Sequence, residues 1–195
     1  YDPGANCWRK FTNPVEELEV HNLDEVLPAL EYLEQRVERE SLYAAGFVSY
    51  EAATAFDDAL QTFPATDFPL LRFGLFSKAE QFKLPSPEQP LAKLDWQAGD
   101  SHESFAKKVE CVRAAIARGE TYQVNLTFPL TAETNQDPWQ LFLHLAQRQQ
   151  PQSCGFLQND RWAICSASPE LFFAREGEKL TMRPMKGTAP RGRTL

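Results

Sequence analysis

The residues best suited to chemistry lie in the segment Arg183-Pro184-Met185-Lys186-Gly187-Thr188-Ala189-Pro190-Arg191-Gly192. A lysine stands just after a proline and directly before a glycine, within a run carrying four basic side chains, Arg183, Lys186, Arg191 and Arg193. Proline fixes the approach of the backbone, and glycine lets that backbone come close to a ligand. The amine between them can act as a nucleophile once its surroundings remove its proton. A lysine with an ordinary pKa near ~10.4 is almost wholly protonated at neutral pH, so desolvation or a neighbouring cation must lower it. Two other stretches precede this one in order: Gly119-Glu120-Thr121-Tyr122-Gln123-Val124-Asn125-Leu126-Thr127 and Ser166-Ala167-Ser168-Pro169-Glu170-Leu171-Phe172. Taken singly, each has a plain structural reading. Lys186 is then an exposed loop lysine, Glu170 a turn carboxylate and Tyr122–Leu126 a buried strand. In that strand Gln123 and Asn125 alternate with Val124 and Leu126, giving a polar face able to line a pocket.

These residues need elements to hold them. Leu23, Val26, Leu27, Leu30, Leu33 and Val37 recur at helical spacing and predict a helix over Leu23–Arg39, capped by Asn22 or Asp24. Pro28 fits best if that helix starts at Asp24, which keeps the proline near the first turn. Strands are predicted over Tyr43–Tyr50 and Leu71–Phe76. Leu84–Pro90, with three prolines, reads as a linker. Asp100-Ser101-His102-Glu103 resembles a capping box with Asp as the cap. It opens a helix whose apolar stripe is Phe105, Val109, Val112 and Ile116 and which Gly119 stops. A strand is expected over Tyr122–Pro129. Asp137-Pro138 starts another helix, buried through Trp139, Phe142 and Leu145. Four short apolar runs follow, at Gly155–Leu157, Trp162–Cys165, Leu171–Arg175 and Lys179–Met182, separated by turn residues as in antiparallel hairpins. The fold class is α+β. Its organisation is a leader subdomain over residues 1–84, a linker over 85–98 and a second part over 99–195.

The chain has 195 residues, 43% of them apolar and 24% charged, which suits a folded soluble protein. No apolar run approaches the ~18 residues of a membrane span, and the beginning of the chain has no secretory pattern. The net charge of −7 disfavours a nucleic-acid partner. The basic run near Lys186 also lacks the interleaved aromatics that such a partner would use. Lys186-Gly187-Thr188 does not sit in the G-x-x-x-x-G-K-[ST] order of a phosphate-binding loop. Cys7, Cys111, Cys154 and Cys165 are far apart with no C-x-x-C pair, so reduced thiols in a cytoplasmic protein are expected. His21, His102 and His144 are isolated and form no metal motif.

The three ordered stretches resemble the chorismate-utilising enzymes. The similarity is strongest to their aminodeoxychorismate synthase component I (para-aminobenzoate synthase component I) branch, which is anthranilate synthase component I-like. That branch shows G-[ED]-x-Y-Q-x-N-L-T, S-x-S-P-E-x-F and P-I-K-G-T-x-x-R-G. Ala45-Gly46-Phe47-Val48-Ser49-Tyr50-Glu51-Ala52 is similar to its glycine-tyrosine strand. The resemblance implies an antiparallel β-sheet sandwich flanked by helices, of which this chain is the N-terminal part, incomplete at the C-terminus. It implies that Lys186 attacks ring carbon 2 of chorismate and that ammonia then adds at carbon 4. Glu170 takes the place of the acid that protonates the departing hydroxyl, so its pKa should be raised by burial or by the anionic substrate. Gly187 and Thr188 are implied in substrate binding. So is Gln123, where isochorismate and salicylate synthases carry a lysine that activates water. Glutamine has no basic site for that task. Anthranilate synthases usually carry alanine where this chain has Lys186. Met185 in place of isoleucine and Ala167 in place of serine are the departures; the first is a volume-tolerant swap.

The resemblance further implies Mg²⁺, with ligands in the missing C-terminal part, and a glutamine amidotransferase subunit or domain that supplies ammonia for folate-precursor synthesis. The chain alone is expected to be inactive and to expose apolar surface. Related proteins bind tryptophan in their N-terminal part, and Ser49, Tyr50 and Glu51 are candidates to line such an amino-acid pocket. Two other readings stay open: an anthranilate synthase component I-like enzyme, and a non-catalytic ligand-binding or scaffold module of this fold.

Overall fold

The computed structural model describes residues 7–64, 66–149 and 153–184. The elements run β1 (Trp8–Lys10), β2 (Glu16–Val20), α1 (Leu23–Glu40), β3 (Tyr43–Val48), a 3₁₀ helix (Tyr50–Ala55), β4 (Leu71–Phe76), β5 (Glu80–Phe82), β6 (Gln97–Ala98), α2 (His102–Ala117), β7 (Leu130–Thr131), α3 (Pro138–Gln149), β8 (Ser153–Gln158), β9 (Ala163–Ser168), β10 (Leu171–Glu176) and β11 (Lys179–Arg183). The protein is α+β and every strand pair is antiparallel. Among the described residues the strands form five small sheets. The chain divides into two compact units, one of residues 1–86 with 142–195, the other of residues 87–141.

In the first unit, β2, β4 and β3 form a three-stranded sheet in that order, with α1 on one face. Strand alternation sends Val20, Leu71 and Leu75 to that face, where they meet Val26, Ala29 and Leu33 of α1. Leu70 and Ala52 complete this core. The helix runs through Pro28 rather than starting late enough to leave it in the first turn, so one backbone bond of the helix is missing there. Asn22 is its N-cap residue, yet its side chain bonds Glu25 Oε2 at 3.1 Å and caps no backbone N–H. Left-handed Ser41 ends it, and Leu42 N donates to the Val37 carbonyl. Gly46 has no room for a side chain: a Cβ there would lie 2.0 Å from the Arg72 carbonyl oxygen. The strand predicted to run to Tyr50 stops at Val48. Ser49 N bonds the Leu70 carbonyl at 2.8 Å, and the chain then turns into the 3₁₀ helix.

The rest of the first unit holds the β1–β5 pair, α3 from Phe142 onward and two hairpins. Asp137 caps α3 as its sequence predicts, its Oδ1 accepting from Trp139 N at 3.1 Å with Pro138 at the first helical position. The residues of α3 most buried in this unit are Phe142, Leu143 and Ala146, whereas the predicted Leu145 is only half-buried. Phe142 packs on Trp8 and on Phe156 of β8, with ring centroids 5.8 Å and 5.4 Å apart. Strands β8 and β9 pair along their whole length, and so do β10 and β11, apart from one bulge.

The second unit holds β6, β7 and α2. The cap of α2 is Ser101, whose Oγ accepts from Ser104 N at 3.1 Å, and not Asp100, which instead accepts from Ser104 Oγ and Lys108 Nζ. Gly119 stops the helix with φ of 74°. The strand expected over Tyr122–Pro129 does not form: residues 122–129 are irregular, and only Leu130 and Thr131 pair, with Ala98 and Gln97. Tyr122 is 92% exposed, so the alternation seen in the sequence meets no ladder partner and no core.

Candidate active site

Register in the β10–β11 hairpin brings two of the sequence motifs together. Leu171 pairs with Arg183, so the end of Ser166–Phe172 lies beside the start of the lysine segment. Glu170 precedes the last pair on one strand, and Pro184 follows it on the other. A bulge interrupts the ladder between Leu171 and Ala174, where Phe172 and Phe173 face the single residue Met182. Their rings meet edge to face with centroids 5.2 Å apart. A bulge bends its strand and re-aims the side chains next to it, and here it lies immediately beside both motifs.

Glu170 is fixed through its backbone. Ser168 Oγ donates to the Glu170 carbonyl at 2.9 Å and accepts from Glu170 N at 3.2 Å. This clasp makes Ser168-Pro169-Glu170 a defined corner between β9 and β10. The side chain of Glu170 is exposed, so the burial expected to keep it protonated is not provided by the described residues. Lys186, Gly187 and Thr188 lie outside the described residues. Gln123 belongs to the other compact unit and is exposed in the irregular stretch, its carbonyl accepting from Thr121 Oγ1 at 3.0 Å.

The three residues expected in an amino-acid pocket do not share one environment. Ser49 Oγ is buried and has no hydrogen-bond partner among the described residues. Tyr50 is 82% exposed. Glu51 uses its carbonyl to accept from Thr62 Oγ1 at 3.3 Å.

The face of the β2–β4–β3 sheet opposite α1 carries a site that the sequence reading missed. Arg72 bonds Glu17 and Glu19 from the middle strand, and Arg161, in the β8–β9 turn, reaches Glu19 at 3.0 Å. Trp162, next in the chain, lies against Phe47 and Phe68 with centroids 5.5 Å and 5.2 Å away, under the Arg72 guanidinium at 5.6 Å. Its Nε1 is buried and has no partner among the described residues. A hydrogen bond from His21, then the Arg72 contact and the charges of Arg72 and Arg161, hold the Glu19 carboxyl below its ordinary value of 4.5 against partial burial. The available signal was a tryptophan two residues after the Asn159-Asp160 turn pair.

An open groove of about 640 Å³ runs along α2, lined in part by Lys107, Lys108, Cys111, Val112 and Leu126. Both lysines are already paired, Lys107 with Glu103 at 2.7 Å and Lys108 with Asp100 at 2.6 Å. The groove contains none of the predicted site residues. Among the described residues no group of three or more His, Cys, Asp or Glu side chains could hold a metal ion. Among the described residues the four cysteines form no disulfide. Burial pushes the Cys154 thiol above its ordinary value. No helix of the described residues is long and apolar enough to cross a membrane.

The family model for chorismate binding enzymes matches residues 78–195, more than half of the chain and all three motifs. The chain belongs to the chorismate binding enzymes. Among curated relatives, Aminodeoxychorismate synthase component 1 of Escherichia coli (strain K12) is 36% identical over 116 residues, covering 60% of this chain and 24% of the relative. Two Haloarcula marismortui proteins also match. Anthranilate synthase component 1 1 is 33% identical over 113 residues, covering 56% of this chain and 23% of that protein. Anthranilate synthase component 1 3 is 24% identical over an alignment that takes in 98% of this chain and 50% of that protein. The chain thus spans about a quarter of the first of these relatives and half of the last. No solved structure matches it. As a chorismate binding enzyme it pairs Leu171, in the Ser166–Phe172 motif, with Arg183, the first residue of the lysine segment, across the β10–β11 hairpin.

Proposed function

We propose that this chorismate binding enzyme aminates chorismate to 4-amino-4-deoxychorismate, as part of folate-precursor synthesis in the cytoplasm. The observation that carries this reading is the Leu171–Arg183 pairing, which sets the Glu170 corner beside the strand leading to Lys186. Two residue identities choose the reaction: glutamine at 123, which cannot activate water as a base, and lysine rather than alanine at 186.

In this reading Lys186 Nζ, as a neutral amine, bonds to ring carbon 2 while the carbon 4 hydroxyl departs. Glu170 gives that hydroxyl a proton, and water leaves. Ammonia from a glutamine amidotransferase partner then bonds to carbon 4 and expels the lysine from carbon 2, so that chorismate and ammonia become the amino product and water. Gly187 lets backbone amides approach the substrate, and Thr188 hydrogen-bonds one of its oxygens. Mg²⁺ is the proposed cofactor, held by residues other than the described ones. The complete catalytic fold is proposed to join the separate sheets into a helix-flanked sandwich, and this chain alone to be inactive. Ser49 remains the best placed of the three amino-acid pocket candidates, because its buried hydroxyl has no partner among the described residues.

The test uses the full-length gene product with chorismate, Mg²⁺ and ammonia, with products separated by mass spectrometry. The expected product is 4-amino-4-deoxychorismate, abolished in Lys186→Ala. Without ammonia, Lys186 should carry an adduct of chorismate less water. Anthranilate as the product would favour the reading suggested by the anthranilate synthase relatives. Undiminished turnover in Lys186→Ala would defeat the covalent mechanism.

A further inference from the structure

The β8–β9 hairpin carries the Ser168-Pro169-Glu170 corner at one end and its turn at the other. The turn is closed by Asn159, whose Oδ1 accepts from Arg161 N and Trp162 N, both at 2.9 Å, and whose N donates to the Trp162 carbonyl at 3.0 Å. From this rigid turn Arg161 pairs with Glu19, and the Trp162 indole fills the space between Phe47, Phe68 and the Arg72 guanidinium. Midway along, Phe156 of β8 leans on Phe142, which leans on Trp8. The hairpin is therefore held at its turn by Glu19, Phe47, Phe68 and Arg72, and midway by Phe142 of α3, and neither point is a predicted site residue.

Burying an indole N–H without a partner is unfavourable. A residue chosen only to fill space could be phenylalanine at no such cost. The indole offers a larger electron-rich face for Arg72 to sit on, and with it a defined orientation. Six consecutive residue pairs join β8 to β9, so a fixed turn fixes the far end of the ladder about 20 Å away at ~3.3 Å per residue.

We propose that Trp162 is a positioning residue for the amination. Docked on the outer face of the β2–β4–β3 sheet, it sets the placement of β9 and, through the Ser168 clasp, of Glu170. This rests on the role given to Glu170 under the proposed function. Misplacing a catalytic group by about 1 Å can cost up to 100-fold in rate.

The experiment compares Trp162→Phe, Trp162→Leu and Trp162→Ala in the full-length protein, with steady-state kinetics and amide hydrogen exchange read side by side. In Trp162→Ala the expected result is faster exchange across residues 163–170, unchanged exchange in α1 and β4, and kcat lower by about tenfold with KM for chorismate within about twofold. Trp162→Phe, which keeps a ring but offers Arg72 a smaller face, should fall between the alanine variant and wild type in both readouts. Trp162→Leu, which keeps apolar volume without a ring, should behave like alanine and serves if the alanine variant does not fold. Unchanged exchange over 163–170, or loosened exchange with unchanged kcat, overturns the proposal. A loss of KM and kcat together with global loosening also overturns it, leaving only a packing role. If the wild-type protein makes no aminated product, the amination reading fails while the exchange arm still reports whether Trp162 holds the hairpin.

Discussion

Helices α1 and α2 carry the same kind of sequence pattern and end in different surroundings. In α1 the stripe buries Val26, Ala29 and Leu33 against a three-stranded sheet. In α2 the stripe of Phe105, Val109, Val112 and Ile116 is correct in period, yet no residue of that helix is buried and Ile116 is 42% exposed. Its aromatic contact within its own unit is Phe105 on Phe128, with centroids 5.5 Å apart. Periodicity states which face a helix would bury; it does not state that a neighbour is there to bury it. The stability of the described structure therefore belongs mainly to the α1 side.

The sharpest way to break that contrast is to truncate one apolar side chain on each side. Leu71→Ala, at a fully buried position, should cost about 2–5 kcal/mol. Val112→Ala should cost less than about 1 kcal/mol, because its site is only half-buried. Urea unfolding followed by circular dichroism measures both, and equal losses would mean that α2 is buried in solution. A smaller effect separates the two helix starts. Ser101→Ala removes a cap bond and should cost about 1 kcal/mol, whereas Asn22→Ala, with no cap bond to lose, should stay within about 0.5 kcal/mol. Loss of helicity in α2 alone, read by NMR, would confirm the assignment of Ser101 over Asp100.

The smallest effect is electrostatic. The folded pKa of Glu19 lies below its ordinary 4.5, so its contribution is present above about pH 4.5 and disappears as pH falls through the folded value. Below pH 4.5 the protein should lose stability more steeply than Glu19→Gln does. His21, Arg72, Arg161 and Glu17 all face the group, and the two arginines keep their charge throughout. Superimposable pH–stability profiles for the two proteins would show that this network adds nothing.

The local signals in the sequence were legible where a single segment suffices. Leu71–Phe76 is a strand over those same residues, and all four late apolar runs fall in strands except for Trp162, which lies in the β8–β9 turn. Asp137-Pro138 starts its helix because cap and proline act on the first turn alone. What failed needed a distant partner. Tyr122–Leu126 alternates like a strand, but alternation without a neighbouring strand supplies no hydrogen bonds. Asp100 matches a capping pattern, yet Ser101, one residue later, has the extended backbone that a cap requires. At the site, the motif residues could be named in order, and the register that joins Leu171 to Arg183 could not. The pair Phe172-Phe173 was the visible hint, since two adjacent rings interrupt the alternation of a strand. The Trp162 contacts join it to Phe47, Phe68 and Arg72, residues far away in the chain, for which one sequence gives no pairing information.

The bulge at Phe172 and Phe173 works as a phase shifter. From Ala174 onward side chains of β10 alternate in one phase, and the extra residue moves Leu171 and Glu170 into the other. Removing a single phenylalanine would leave every other residue chemically intact and still exchange the sides on which Glu170 and Leu171 stand. The chemistry of this corner is thus written partly as a parity, an odd residue out, that no comparison of side-chain types alone would register.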